Sequence, residues 1–272
     1  MLRFPNCKIN LGLYVTNRRA DGYHDLETVF YPVMVQDTLE VVPAETAALH
    51  VTGLEVAGNK EDNLVWKAYQ LLHDAFPGKV SPVDIYMNKT IPMGAGLGGG
   101  SADGAFMLQL VNDYCNLGLD KKKLADMALQ LGSDCPFFIY NTSMYATGRG
   151  EHLQPISLSL KGYSIQLICP QVHVSTAAAF KMIVPKPAPF ALQYLATLPI
   201  TEWKNKISND FEAPVFAQHP VLADIKQQLY NGGAIYSAMS GSGSAVYGIF
   251  EKGERAVITT TVGIKEFMVD FS

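Results

Sequence analysis

The stretch IPMGAGLGGGSADGA, Ile91 to Ala105, holds six glycines in fifteen residues and then turns into helix-forming sequence. Glycine loses more conformational freedom on ordering than any other residue, so such a cluster needs a reason. A floppy linker is one. Here, however, the cluster lies between an apolar strand candidate and a helical pattern with a packing face. A tight structural turn is another, but it needs one or two glycines and not six. A run of bare backbone N–H groups leading into a helix N-terminus is an anion site, because the amides and the helix dipole both favour negative charge. Glycines also let the backbone close around phosphate oxygens.

Two familiar phosphate loops fit poorly. A Walker A loop reads G-x-x-x-x-G-K-[ST], and no Lys follows these glycines. The string satisfies G-x-G-x-x-G at Gly94, Gly96 and Gly99, with Asp113 further on. In a dinucleotide fold that acid ends a second parallel strand, whereas Asp113 continues a helical pattern. The fingerprint also opens its domain, and here a long, mostly β-patterned segment precedes it.

The elements that must position this loop follow from periodicity. FPNCKINLGLYV, LETVFYPVMV, DTLEVVP and AALHVTG read as strands, with the polar turn TNRRADGYHD after the first. Leu64, Val65, Ala68, Leu71, Leu72, Ala75 and Phe76 share one helix face, with Asn63 placed to cap it. PVDIYMNKTI is a strand feeding the glycine loop. A helix runs on from Ser101, and KKKLADMALQL is the next, its basic start a solvated face. The polar stretch NTSMYATGRGEHLQPIS marks a boundary, dividing the chain into domains 1–152 and 153–272. Beyond it come the strand YSIQLICP, a helix capped at Ser175-Thr176, the loop or short helices of VPKPAPFALQYLATLP, and the helix HPVLADIKQQLYNGG. IYSAMSGSGSAVYGIF is strand, tight loop, strand, and EFMVDF a closing edge strand. Strands and helices without a regular βαβ beat predict an α+β fold.

Composition bounds the partners. Over 272 residues, 48% are hydrophobic and 17% charged, so the chain is an ordered globular protein. A formal net charge of -4 argues against nucleic acid or an anionic membrane as the main partner. Four cysteines, Cys7, Cys115, Cys135 and Cys169, have no metal-ligand spacing, which predicts a reduced, cytoplasmic protein. The opening MLRFPNCKINLGLYV has no signal-peptide pattern, and no apolar run approaches the ~18 residues of a membrane helix.

Three separated motifs carry a resemblance: NCKINLGLYVTNRRADGYHDLETVF, PMGAGLGGGSADGA and MSGSGSAVYGIF. In this order and spacing the set resembles the GHMP kinase superfamily. The further strings EDNLVWKA, LGSDCPFFI and SNDFE, with ADGYH in the first motif, resemble the branch of the non-mevalonate isoprenoid pathway. That branch phosphorylates a cytidine diphosphate derivative of methylerythritol. The resemblance implies a two-lobed fold, with an N-terminal ribosomal-protein-S5-like domain, a C-terminal ferredoxin-like domain, and ATP and substrate in the cleft between them. It implies ATP as co-substrate with Mg2+, a small-molecule substrate, and a monomer or weak homodimer.

Roles follow residue by residue from that match. Pro92, Met93, Gly94, Ala95, Gly96, Leu97, Gly98, Gly99, Gly100 and Ser101 would cradle the ATP phosphates, with Asn63 and Lys89 on the adenosine side. Ser101 would be a magnesium contact, although an N-cap role fits it equally. Lys8 and Asp134 would be catalytic. Taken alone, Lys8 reads as an edge-strand lysine reaching solvent and Asp134 as a cap or turn residue. By the match, Asp134 orients or takes the hydroxyl proton, while Lys8 keeps it ionised and steadies the moving phosphoryl group. Tyr23, His24 and Phe180 match a cytidine pocket, where flat rings stack. Asn10, Thr176, Ser240 and Gly241 match further substrate positions. Tyr23 and His24 also read as a polar turn, and Phe180 as a helix core residue. Three other readings compete: a kinase for homoserine or mevalonate, a dinucleotide-dependent oxidoreductase, and a non-catalytic ligand-binding protein. ADGYH disfavours the first, and the presence of both Lys8 and Asp134 disfavours the last.

Overall fold

The computed structural model describes residues 1–56 and 58–271. The chain opens with β1 (Leu2–Arg3), β2 (Asn6–Arg18), β3 (His24–Gln36), β4 (Thr38–Pro43), β5 (Ala48–Gly53), α1 (Leu64–Ala75) and β6 (Val83–Lys89). After the glycine loop come α2 (Gly99–Tyr114), α3 (Lys121–Leu131), α4 (Cys135–Tyr140), β7 (Met144–Thr147), β8 (His152–Pro155) and β9 (Tyr163–Pro170). The rest is α5 (Thr176–Lys181), α6 (Trp203–Lys206), α7 (Glu212–Gln218), α8 (Pro220–Asn231), β10 (Tyr236–Met239), β11 (Val246–Glu251) and β12 (Ile264–Asp270). Helix and sheet are mixed, as an α+β fold requires.

Contacts divide the chain into two compact units, each built from separate stretches. The first holds Met1–Lys8, Met34–Met93 and Gly98–Thr142; the second holds Ile9–Val33, Gly94–Leu97 and everything from Ser143 onward. The boundary expected after residue 152 falls at the start of β8, within the second unit.

In the first unit, β1, β4, β6 and β5 form a sheet in that order. β4 and β6 are antiparallel, whereas β5 and β6 are parallel, with α1 in the connection between them. α1 packs along α2, and α3 along α4. Asn63 caps α1 as expected, its Oδ1 accepting from Val65 N at 2.9 Å. The buried face of α1 is turned from the expected one: Trp66 and Tyr69 join Val65, Ala68 and Leu72, while Ala75 is exposed. Large rings cover more apolar area than an alanine methyl, so they win the core.

The second unit has two sheets, β2-β3-β7-β8 and the antiparallel β10-β11-β9-β12. α8 lies on β10 and β11. Its core gathers Leu13, Val15, Ile168, Phe211, Leu229 and Phe250. The stretch expected as a polar boundary instead contains the hairpin β7–β8, because Met144, Tyr145 and Ala146 are all buried despite polar neighbours. α4, a segment to which periodicity assigned no element, is a short helix whose residues from Cys135 to Ile139 are buried.

Candidate active site

The expected catalytic pair is built within the first unit. Lys8 lies in β2 and is almost wholly buried, and its Nζ stands 3.6 Å from Asp134 Oδ2. Burial lowers the Lys8 pKa from its ordinary value, because a charged ammonium loses solvation; the Asp134 carboxylate opposes that fall. Asp134 sits at the N-terminal boundary of α4 but makes no side-chain cap bond, so its carboxylate is not consumed as a helix cap. Its side chain remains a third exposed. Lys8 is therefore not the solvent-reaching edge lysine that its sequence alone allowed. A buried ammonium facing a partly exposed carboxylate can stabilise further negative charge beside it.

The end of the glycine loop packs against Lys8. Gly98 precedes α2 in the left-handed region, φ 68°, where glycine is favoured. A Cβ there would sit 3.0 Å from Phe138 Cζ and 3.2 Å from Lys8 Cε. α2 opens at Gly99, so Ser101 is its third residue and not the N-cap. The Ser101 hydroxyl instead meets the Cys135 thiol, whose pKa burial pushes up to about 12 against that bond. Cys7, next to Lys8, is fully buried.

A cavity of about 110 Å³ lies in the same unit, and it brings together Asn63, Lys89, Met93, Gly100, Asp103 and Val56. The expected nucleotide residues Asn63 and Lys89 thus share one hollow with the loop. Lys89 does not present a free ammonium there. Its Nζ is buried, bonded to Asp37 and, at 2.7 Å, to Asp103 Oδ2. Asp37 Oδ1 also accepts from the N–H groups of Thr90 and Ile91, which fixes the entry to the loop. Asp37 and Asp103 were missed from sequence. The GSADGA setting of Asp103 gave no sign that it faces Lys89, and the two pairings of Lys89 span 14 and 52 residues. Burial pushes the Asp103 carboxyl up to about 8, against the pull of Lys89.

The second unit carries the residues expected for the substrate. Tyr23 is 56% exposed, and the Arg149 guanidinium lies over its ring at 4.8 Å. His24 stacks on Phe180, centroids 5.1 Å apart at 22°, and Phe180 meets Phe211 edge-on. Thr176 Oγ1 is 3.0 Å from Ser242 Oγ. Asn10 is buried: its Nδ2 donates to Thr28 Oγ1, and its carbonyl accepts from the Tyr247 hydroxyl. Ser240 Oγ donates to the Gly96 carbonyl at 2.8 Å. Gly96 has φ 76°, and a Cβ on it would collide with the Ser240 carbonyl. Gly241 packs as closely, its added Cβ meeting Gly96 Cα at 3.2 Å. Gly94, Ala95 and Leu97 complete this part of the loop, with Ala95 O accepting from Ala245 N. Pro92 and Met93 lead into it from β6, Met93 half-exposed.

A glycine-rich stretch opening α2, a buried Lys8–Asp134 pair and a tight loop packed on Gly96 are each features of a phosphotransferase class. The chain belongs to the GHMP kinase family: the family's N-terminal domain matches residues 63–142 and its C-terminal domain residues 192–261. It is 52% identical over 259 residues to the 4-diphosphocytidyl-2-C-methyl-D-erythritol kinase of Bacteroides fragilis, covering 94% of each chain. It is 50% identical over 252 residues to the enzyme of the same name from Parabacteroides distasonis, covering 93% of this chain and 92% of the relative. Among solved structures, a 4-(cytidine 5'-diphospho)-2C-methyl-D-erythritol kinase superposes with a TM-score of 0.79 at 32% identity, over 91% of this chain and 89% of the other.

Proposed function

We propose that this chain transfers the terminal phosphoryl group of ATP to the 2-hydroxyl of 4-diphosphocytidyl-2-C-methyl-D-erythritol, in non-mevalonate isoprenoid precursor synthesis. The observation that carries the chemistry is the Lys8–Asp134 pair at 3.6 Å. Phosphoryl transfer asks a protein mainly for positioning and charge stabilisation. Asp134 orients the acceptor hydroxyl and takes its proton as its oxygen bonds to the γ-phosphorus and the bond from that phosphorus to the bridging oxygen breaks, releasing ADP. Lys8 positions Asp134 through their ion pair and offsets the charge on the moving phosphoryl oxygens. The substrate assignment rests on relatives about half identical over almost the whole chain.

The glycine loop, 92–101, cradles the ATP phosphates, and the cavity at Asn63 and Lys89 takes the adenosine end. Lys89 acts there through its stem and through the carboxylates that it holds, since its ammonium is committed to them. Among the described residues no group of three or more His, Cys, Asp or Glu could hold a metal ion. A magnesium ion carried by ATP oxygens and water, with Ser101 as a protein contact, fits this donor set. Magnesium so bound neutralises charge on the phosphates. Tyr23, His24 and Phe180 hold the cytosine, while Asn10, Thr176, Ser240 and Gly241 hold the polar part of the substrate.

The functional division into 1–152 and 153–272 is supported by the two family domains falling on either side of it. A cytoplasmic monomer or weak homodimer completes the reading, consistent with cysteines that have no C-x-x-C or metal-ligand spacing. No helix among the described residues is long and apolar enough to cross a membrane. Asp134→Asn keeps the shape and removes the charge. It should lower kcat by roughly 10²–10⁴-fold with an unchanged melting temperature, the range for a positioned general base. Near-normal turnover of the folded variant would refute the assigned role.

A further inference from the structure

The string SNDFE has no place in the machinery described so far, yet it is tied to it. Asn209 is buried, and its Nδ2 donates to two carbonyls, Met239 O and Gly241 O, both at 2.8 Å. Its Oδ1 accepts from Phe211 N at 3.0 Å, which fixes the amide orientation. Glu212 Oε1 accepts from Met239 N at 2.8 Å, and its other oxygen takes Lys226 at 2.7 Å. The same segment is anchored to β2: Leu13 N donates to Ser208 O, and Asp210 N to Leu13 O. Asp210 Oδ2 accepts from Val15 N. Between the two carbonyls that Asn209 holds stands Ser240, whose hydroxyl donates to Gly96 O and whose N–H donates to Ala245 O.

We propose that Asn209 is a positioning residue for phosphoryl transfer: by clamping Met239 and Gly241 it sets Ser240 against Gly96, and so fixes the Gly94–Leu97 part of the phosphate loop. The inference rests on the reading of that loop as the ATP-phosphate cradle. A side-chain amide suits the task because one NH₂ group serves two carbonyls that would otherwise lie buried without donors. A displacement near 1 Å at a reacting group can cost about 10²-fold in rate, so a clamp remote from the chemistry can still set it.

The test is a double-mutant cycle on full-length enzyme, reading kcat, KM for ATP and KM for the alcohol. Asn209→Asp keeps the size and the bond from Phe211 but sets an acceptor against two acceptors. Gln166→Ala is the matched control. Gln166 is buried in the same unit and bonds Ala256 N and O, away from the loop. The clamp predicts that kcat/KM for ATP falls roughly 10- to 100-fold in Asn209→Asp, with no such fall in Gln166→Ala. Ser240→Ala should reproduce the fall, and Asn209→Asp with Ser240→Ala should be no worse than the worse single variant. If Asn209→Asp does not fold, Asn209→Ala takes its place in the cycle. Effects that multiply, or an ATP parameter that moves no more than in the control, would overturn the clamp. A wild-type enzyme that turns over no alcohol with ATP would instead overturn the reading of the loop itself.

Discussion

At the scale of single residues, the account depends on side chains whose environment departs from what their type predicts. Lys8 is a buried lysine, and Asp134 stands at a helix boundary without capping it. Tyr23 is the converse, a large ring left 56% exposed with a guanidinium over one face. An exposed ring with a free face is suited to stack on a flat base. Tyr23→Ala should therefore raise the KM for the cytidine substrate about tenfold or more, the order of one lost base-stacking contact. The KM for ATP should stay put, and steady-state kinetics with each substrate varied in turn would show the split. Equal shifts in both would count against this pocket. The stacked His24–Phe180 pair beside Tyr23 explains why a helix position as plain as Phe180 belongs with a turn residue: the two rings meet though 156 positions of chain, by subtraction of their numbers, separate them.

At the scale of elements, much was legible because local chemistry and tertiary need agreed. The helix after Asn63, the strand before the glycine loop, the helix ended by Gly232 and the edge strand β12 all appear where periodicity and caps put them. The failures share a cause. β7 and α4 are short, and burial rather than periodicity makes them. The Asp37–Lys89–Asp103 cluster was illegible for a related reason: nothing local in QDTLEV or GSADGA signals a buried charge. That cluster ties β6, the residue before β4 and α2 together beneath the glycine loop. It also makes stability depend on pH. The folded Asp103 pKa, about 8, lies above the unfolded value near 3.9, so the folded state holds this proton more tightly. Its stabilisation is full below about pH 4 and is lost as pH rises through about 8. Urea midpoints measured across that window should decline in the wild type, and Asp103→Asn should flatten the decline. An identical slope in the variant would contradict the raised value.

At the scale of the whole molecule, each compact unit draws on more than one stretch of chain. The chain's first strand, its glycine loop and its C-terminal part contribute to units assembled from separate stretches. Folding must close those long-range connections before either unit has its core. Family membership fixes the phosphotransferase class, and relatives over almost the full chain point to one alcohol. The measurement that bears most directly on this is ATP consumption by the purified protein with magnesium. It would be offered 4-diphosphocytidyl-2-C-methyl-D-erythritol, homoserine, mevalonate and galactose in parallel. The account predicts ADP release with the cytidine compound alone, and turnover of any of the other three in its place would contradict it.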